Sequence, residues 1–208
     1  RNVTGVQTCA LPIYDTLELK DNDKLPGVYN FFSSIVTPTG TPKTIAKTNM
    51  TTPGQLQTAV SFRIQGLCFD AMNYESADAG YSNALIIPTI LNRGGIQLNV
   101  GVKNYWQGPA RFAAGRMTVY GVSGVGTVGQ TAVAAQSELL QQYGWASVQP
   151  VIFAGRHVID VNPLQNFVFQ LLINAQDLTA DELQLSVAPD TDISLVASLK
   201  GLQRRPVQ

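Results

Sequence analysis

The chain reads as all-β, an antiparallel sandwich or barrel, on three observations. Apolar and polar residues alternate with a period of two in at least six segments. Turn-forming residues separate those segments, and only one stretch carries a convincing helical pattern. With 208 residues, 45% of them apolar, the chain is long enough to bury a substantial core as one domain.

Taken along the chain, Leu17 and Leu19 alternate with Glu18 and Lys20, and Val60, Phe62 and Ile64 with Ser61, Arg63 and Gln65. Ile96, Leu98, Val100 and Val102 form the clearest row, a strand with one wet face. Phe167, Phe169, Leu171 and Ile173 form another; Leu183, Leu185 and Val187 follow, and then Ile193, Leu195, Ala197 and Leu199. Short apolar runs at 85–87, 117–120 and 151–153 add further candidate strands. Thr37-Pro38-Thr39-Gly40, Pro53-Gly54, Asn92-Arg93-Gly94-Gly95, Asn162-Pro163 and Pro189-Asp190 supply the turns. The exception is 131–143, where Ala132, Val133, Ala134, Ala135, Leu139 and Leu140 followed by Gly144 predict one inserted helix. Stretches 29–58 and 70–83 read as long loops, a length uncommon unless the loop binds something. The rows predict a core of Ile96, Leu98, Val100, Val102, Phe167, Phe169, Leu171, Leu195 and Leu199 between two packed sheets.

Charge sets limits on function. Lys and Arg total 14, Asp and Glu total 14, and only 13% of residues are charged, about half the usual fraction of roughly 25%. A balanced chain lacks the basic face of a broad nucleic-acid footprint. The single histidine, His157, excludes a multi-histidine metal site and reads as a strand-end residue. Gly124-Val125-Gly126-Thr127-Val128-Gly129 matches G-x-G-x-x-G, a turn that lets a pyrophosphate approach a helix N-terminus. The acid expected about 20 residues further on is absent and the flanks read as antiparallel strands, so a flexible loop is the simpler reading. Cys68, between Leu67 and Phe69, reads as a small core residue. Asp177, Asp181 and Glu182 have the chemistry to hold calcium, but they more simply polarise a turn and cap its amides. No catalytic, cofactor or metal site is expected. Arg204 and Arg205 are the one candidate contact to nucleic acid, a weak one.

Residues Val3 to Ile13 resemble the conceptual translation of a sequencing-adaptor oligonucleotide, with Arg1-Asn2 as the variable index before it. That likeness makes residues 1–13 foreign to the fold and 14–208 a single native domain whose true N-terminus is unknown. It also removes Cys9, leaving Cys68 as the one native thiol, and implies a segment that lies outside the sheets with few specific contacts.

A second likeness bears on function. Thr48-Asn49-Met50-Thr51-Thr52-Pro53-Gly54-Gln55-Leu56, followed by Phe62-Arg63-Ile64-Gln65-Gly66-Leu67, resembles the entry into the jelly roll of tailless icosahedral phage major capsid proteins. Residues 95–105, GIQLNVGVKNY, are similar to an inner strand of that family, and 199–208, LKGLQRRPVQ, to its final strand and tail. The resemblance implies a jelly-roll-type sandwich, self-assembly into a virion shell, possible contact with packaged nucleic acid, and no catalysis. Amide-rich, charge-poor polar faces agree with it, since permanent interfaces are poor in Lys and Glu. Two other readings compete: a β-sandwich module that binds carbohydrate or a host surface, and a nucleotide-binding enzyme acting through 124–129.

Overall fold

The computed structural model describes residues 6–10, 12–20, 23–73, 86–114, 117–123, 138–144, 151–153, 158–187 and 192–206. Strands β1 (Val6–Cys9), β2 (Ile13–Leu19), β3 (Gly27–Phe31) and β4 (Ser61–Asn73) lead to helix α1 (Ile86–Arg93). After it come β5 (Gly95–Val100), β6 (Lys103–Pro109) and the single turn of α2 (Ala110–Ala113). A ribbon of β7 (Met117–Ser123) and β8 (Glu138–Gly144) precedes β9 (Val151–Ile152), β10 (Ile159–Val161), β11 (Phe167–Ile173) and β12 (Ile193–Pro206).

Two antiparallel sheets form a sandwich. In the first, β12 lies between β2 and β4, and β10 continues outward from β4; β1 extends the β2 edge and β9 the β10 edge. The second has the order β3-β11-β5-β6. Thus β2 pairs with β12, β3 with β11, β4 with β10 and β5 with β6. This nesting is one long hairpin rolled over itself, the wiring of an eight-stranded jelly roll. Each chain half supplies one strand of every pair, so almost all ladders are long-range and neither half can bury its apolar faces alone.

The period-two rows account for the core. Burial alternates residue by residue along β5 and β11. Phe31, Phe69 and Phe169 meet across the sandwich, with Phe31 edge-on to Phe69 at 6.1 Å and to Phe169 at 5.6 Å. Such edge contacts suit the ring quadrupoles. All the residues expected in the core are buried except Val102, which is fully exposed in the β5–β6 turn beside Gly101 (φ +60°). Two residues suffice to reverse the chain there, so the row ends at Val100.

The inserted helix expected at 131–143 is corrected: Glu138–Gly144 is strand β8, paired with β7 from Met117↔Gly144 to Ser123↔Glu138. The β-branched and aromatic sequence of β7 needs a ladder for its amides, and that demand overrides the weak helical preference of the Leu139 region. Residues 131–137 lie outside the described residues. The helix α1 stands instead where a short apolar run predicted a strand. Ile86, Ile87, Thr89 and Ile90 bury one face, and Gly94 N–H closes the last turn on Ile90 O at 2.9 Å. A Cβ on Gly94 would lie 2.4 Å from that oxygen. The row 183–187 is likewise no strand: Glu182–Gln184 is a 3-10 turn and only Val187 is fully buried. The expected loops shorten as well, because β3 runs to Phe31 and β4 to Asn73.

The adaptor-like segment departs from expectation too. Val6–Cys9 pairs with β12 from Val6↔Pro206 to Cys9↔Gln203, and Ile13, only 6% exposed, pairs with Leu199. The outer edge of β12 beyond β2 offers unpaired backbone groups, and any extended segment placed there satisfies them.

One bulge aligns β12 with β4. Lys200 pairs with Gly66 and Gly201 with Ile64, so Gln65 is the extra residue, and its carbonyl accepts the Phe153 N–H at 2.7 Å. A Cβ at Gly201 would sit 1.9 Å from Arg63 O. Gly201→Ala is therefore expected to destabilise the chain by about 1–3 kcal/mol through forced backbone movement, read as a lower urea midpoint with an unchanged slope. Val102→Ala, in the exposed turn, is expected to stay within about 0.5 kcal/mol of the parent.

Candidate functional site

The outer face of the β3-β11-β5-β6 sheet carries a row of carboxamides. Register sets Asn30, Gln170, Gln97 and Gln107 side by side on four adjacent strands. Period-two alternation turns all four away from the phenylalanine core. Their side chains bond in sequence: Asn104 Nδ2 donates to Gln97 Oε1 at 3.1 Å, Gln97 Nε2 to Gln170 Oε1, and Gln170 Nε2 to Asn30 Oδ1 at 2.5 Å. Asn99 Nδ2 also donates to Gln170 Oε1 at 3.1 Å, and Asn104 Nδ2 to Gln107 Oε1 at 3.4 Å. An amide chain of this kind polarises along its length. The Gln97, Gln170 and Asn30 NH2 groups each keep a hydrogen for a partner outside the sheet, whereas Asn104 directs both of its hydrogens inward. The individual residues were legible as polar positions in the sequence. Their alignment was not, because it depends on the register of strands up to 140 residues apart.

A buried ion pair fixes the corner where the chain leaves β3. Asp15 sits at a core-facing position of β2 with its side chain fully buried, and Lys43 reaches it from the long 32–60 connection at 2.7 Å with 4% exposure. The second carboxylate oxygen accepts the Phe32 N–H at 2.7 Å. Phe32 has φ +66°, a conformation that costs a non-glycine residue about 1–2 kcal/mol. Asp15 thus holds the strained corner where the chain leaves β3. Tyr14 and Asn49 tie the same connection down: Tyr14 N–H donates to Asn49 Oδ1 at 3.0 Å, Asn49 Nδ2 to Pro12 O at 2.7 Å, and the Tyr14 hydroxyl to Ile45 O. Sequence reading passed over Asp15; an acid in a row with Ile13, Leu17 and Leu19 was the available signal.

The sequence-selected residues disperse. Arg204 and Arg205 lie within β12, not in a tail, and as neighbours on a strand they face opposite ways. Arg204 stands across from Ser61, where Asp160 also feels its charge. Arg205 lines a cleft of about 240 Å³ with Gln203, Ile13, Asn49, Leu56 and Val60. Glu182 caps a turn reciprocally with Thr179: it accepts the Thr179 N–H at 2.7 Å, and its own N–H reaches Thr179 Oγ1 at 3.3 Å. Asp177 accepts Asn174 Nδ2 at 3.0 Å. Among the described residues no group of three or more His, Cys, Asp or Glu is placed to hold a metal ion. Cys68 is half-buried on β4 opposite Ser198. The glycine motif 124–129 and His157 lie outside the described residues. Among those described, no helix is long and apolar enough to cross a membrane.

No protein-family model matches the chain, and neither curated proteins nor solved structures give a significant match.

Three surface carboxylates are stabilised in the charged form. Arg63 holds Asp160 below the ordinary range through hydrogen bonds at 2.8 and 3.1 Å. Partial burial pushes Glu18 up, but hydrogen bonds and charge from Lys47 and Lys20 outweigh it and leave the group lowered. The Thr179 amide, then Arg93, lowers Glu182. Each group binds its proton less tightly folded than unfolded, so its contribution is present above the unfolded value near pH 4 and is lost as pH falls through the folded value. Urea midpoints are therefore expected to hold steady between pH 5 and 7 and drop below about pH 4, with Arg63→Met flattening part of the drop. At the buried pair, Lys43→Met leaves a buried carboxylate alone and is expected to cost about 3–5 kcal/mol, measured by equilibrium unfolding. A cost under about 1 kcal/mol would mean the pair is solvated.

Proposed function

We propose that the chain is a capsid shell subunit that self-assembles into an icosahedral particle and performs no catalytic step, a protein of the virion. The observation that carries this reading is the uncharged carboxamide face on a jelly-roll frame. A subunit buried on several flanks must desolvate whatever those flanks carry. Amides that find new hydrogen bonds do so at little net cost, whereas isolated charges would be expensive. The jelly roll also presents sheet edges and connecting loops at its flanks, where symmetric copies meet. Several modest contacts per subunit then make association steeply cooperative. The sequence resemblance to tailless-phage capsid proteins points the same way. In this reading Arg204 is the better placed of the two arginines to touch packaged nucleic acid, and a single contact gives only a shallow salt dependence.

A hydroxyl-rich ligand would also suit the amide row, so a carbohydrate-binding sandwich is the second reading. Light scattering and electron microscopy of the full chain at micromolar concentration separate the two. The shell reading expects particles of defined size above a sharp concentration threshold. A monomer at every concentration and salt, with resonances of the amide row shifting on addition of oligosaccharide, would replace it with the second.

A further inference from the structure

We propose that the β3-β11-β5-β6 sheet continues from copy to copy, with the β3 edge of one subunit pairing on the β6 edge of the next; the proposal rests on the shell reading and specifies one contact within it. Among the described residues no strand pairs with the outer side of either edge. Edge strands that must stay single usually carry lysine, proline or inward charges. Here β3 has the sequence GVYNF with no charge, and β6 holds its lysine and proline at its two ends, Lys103 and Pro109, with five uncharged residues between them. Val28, on the same face as Asn30, is 56% exposed.

Direction and polarity both favour a head-to-tail contact. Each strand of the sheet runs antiparallel to its neighbour, so in a four-stranded sheet β3 and β6 run oppositely. A second copy set alongside in the same orientation therefore presents β3 antiparallel to β6, the ordinary ladder geometry. The amide row has a sense as well. At the β3 end the Asn30 oxygen is already occupied by Gln170, which leaves its NH2 to donate. At the β6 end Asn104 directs its NH2 inward to Gln97 and Gln107, which leaves its oxygen to accept. An unbroken amide chain polarised either way has one donor end and one acceptor end. The two ends complement each other, whereas β3 against β3 would set donor against donor. The occupant of each edge is accordingly a second copy in heterologous contact, which closes into a ring or shell when the rotation closes. With Asn30 opposite Asn104 the free Asn30 NH2 meets the free Asn104 oxygen, and the amide chain runs unbroken across the junction.

The test uses the full chain with one cysteine on each edge. Asn30→Cys and Asn104→Cys lie at exposed positions, and circular dichroism identical to the parent checks that each folds. Directly opposed strand residues come close enough for a disulfide. Co-assembled Asn30→Cys and Asn104→Cys proteins under mild oxidant are expected to give a covalent dimer on a non-reducing gel, with neither variant alone exceeding the parental background set by Cys9 and Cys68. A Gln107→Lys variant is expected to lose sedimenting particles while keeping its fold. Particles that form without the mixed dimer, or an Asn30→Cys protein that crosslinks to itself, would overturn the edge contact and leave the shell reading standing. A parent protein that never assembles would overturn both.

Discussion

The fold depends on one long strand lying between two others. Ile193–Pro206 bonds to Ile13–Leu19 and Val6–Cys9 on one side and to Ser61–Asn73 on the other. Its row of Ile193, Leu195, Ala197 and Leu199 is fully buried. Without that strand the first sheet would divide into a β2 edge and a β4–β10 pair, and Phe69 would lose the support that presses it on Phe31 and Phe169. Its fit rests on small geometric conditions: one extra residue at Gln65, and a glycine at 201 because a side chain there would strike Arg63 O. Arg204 and Arg205 come after this bulge, so the bulge also determines which of them faces outward and which enters the cleft.

The second sheet is built for a different environment. Its inner face is aromatic and aliphatic, while its outer face is a connected row of amides without a charge. Ionic character lies off that row and constrains the chain, with Asp15 and Lys43 holding the Phe32 corner, Glu18 bridging Lys20 and Lys47, and Arg63 tying β4 to Asp160 of β10. Charges thus pair with one another at loops and between β4 and β10, and amides cover the outer face of the second sheet. The proposed shell reading gives that division a use, since a face of amides can be desolvated against another copy without stranding charges.

Local periodicity was enough to recover the sandwich and to place eight of nine expected core residues correctly, because burial of alternate residues leaves its mark wherever a strand has one wet face. It left out Phe31 and Phe32, which lie in a stretch that reads as a loop. It failed where tertiary demand outweighed local preference. Glu138–Gly144 looks helical until β7 requires a partner, and the apolar run at 85–87 looks like a strand, whereas Ile86–Arg93 is a helix closed by Gly94 N–H on Ile90 O. The adaptor-like residues show a third limit: an open sheet edge organises whatever lies beside it, native or foreign. The amide row and the Asp15 corner were hidden for one shared reason. Both join residues far apart in sequence, Asn30 with Gln170 and Asp15 with Lys43, and only strand register brings them together.

Amide hydrogen exchange followed residue by residue tests the central constraint most directly. If Ile193–Pro206 closes the first sheet, the amides of 193–199 and their partners on β4 share the highest protection in the chain and exchange only through global unfolding, with one common dependence on denaturant. Exchange of 193–199 through a separate, low-energy opening, while β4 and β11 stay protected, would contradict the account, because the sandwich would then hold together without the strand said to close it.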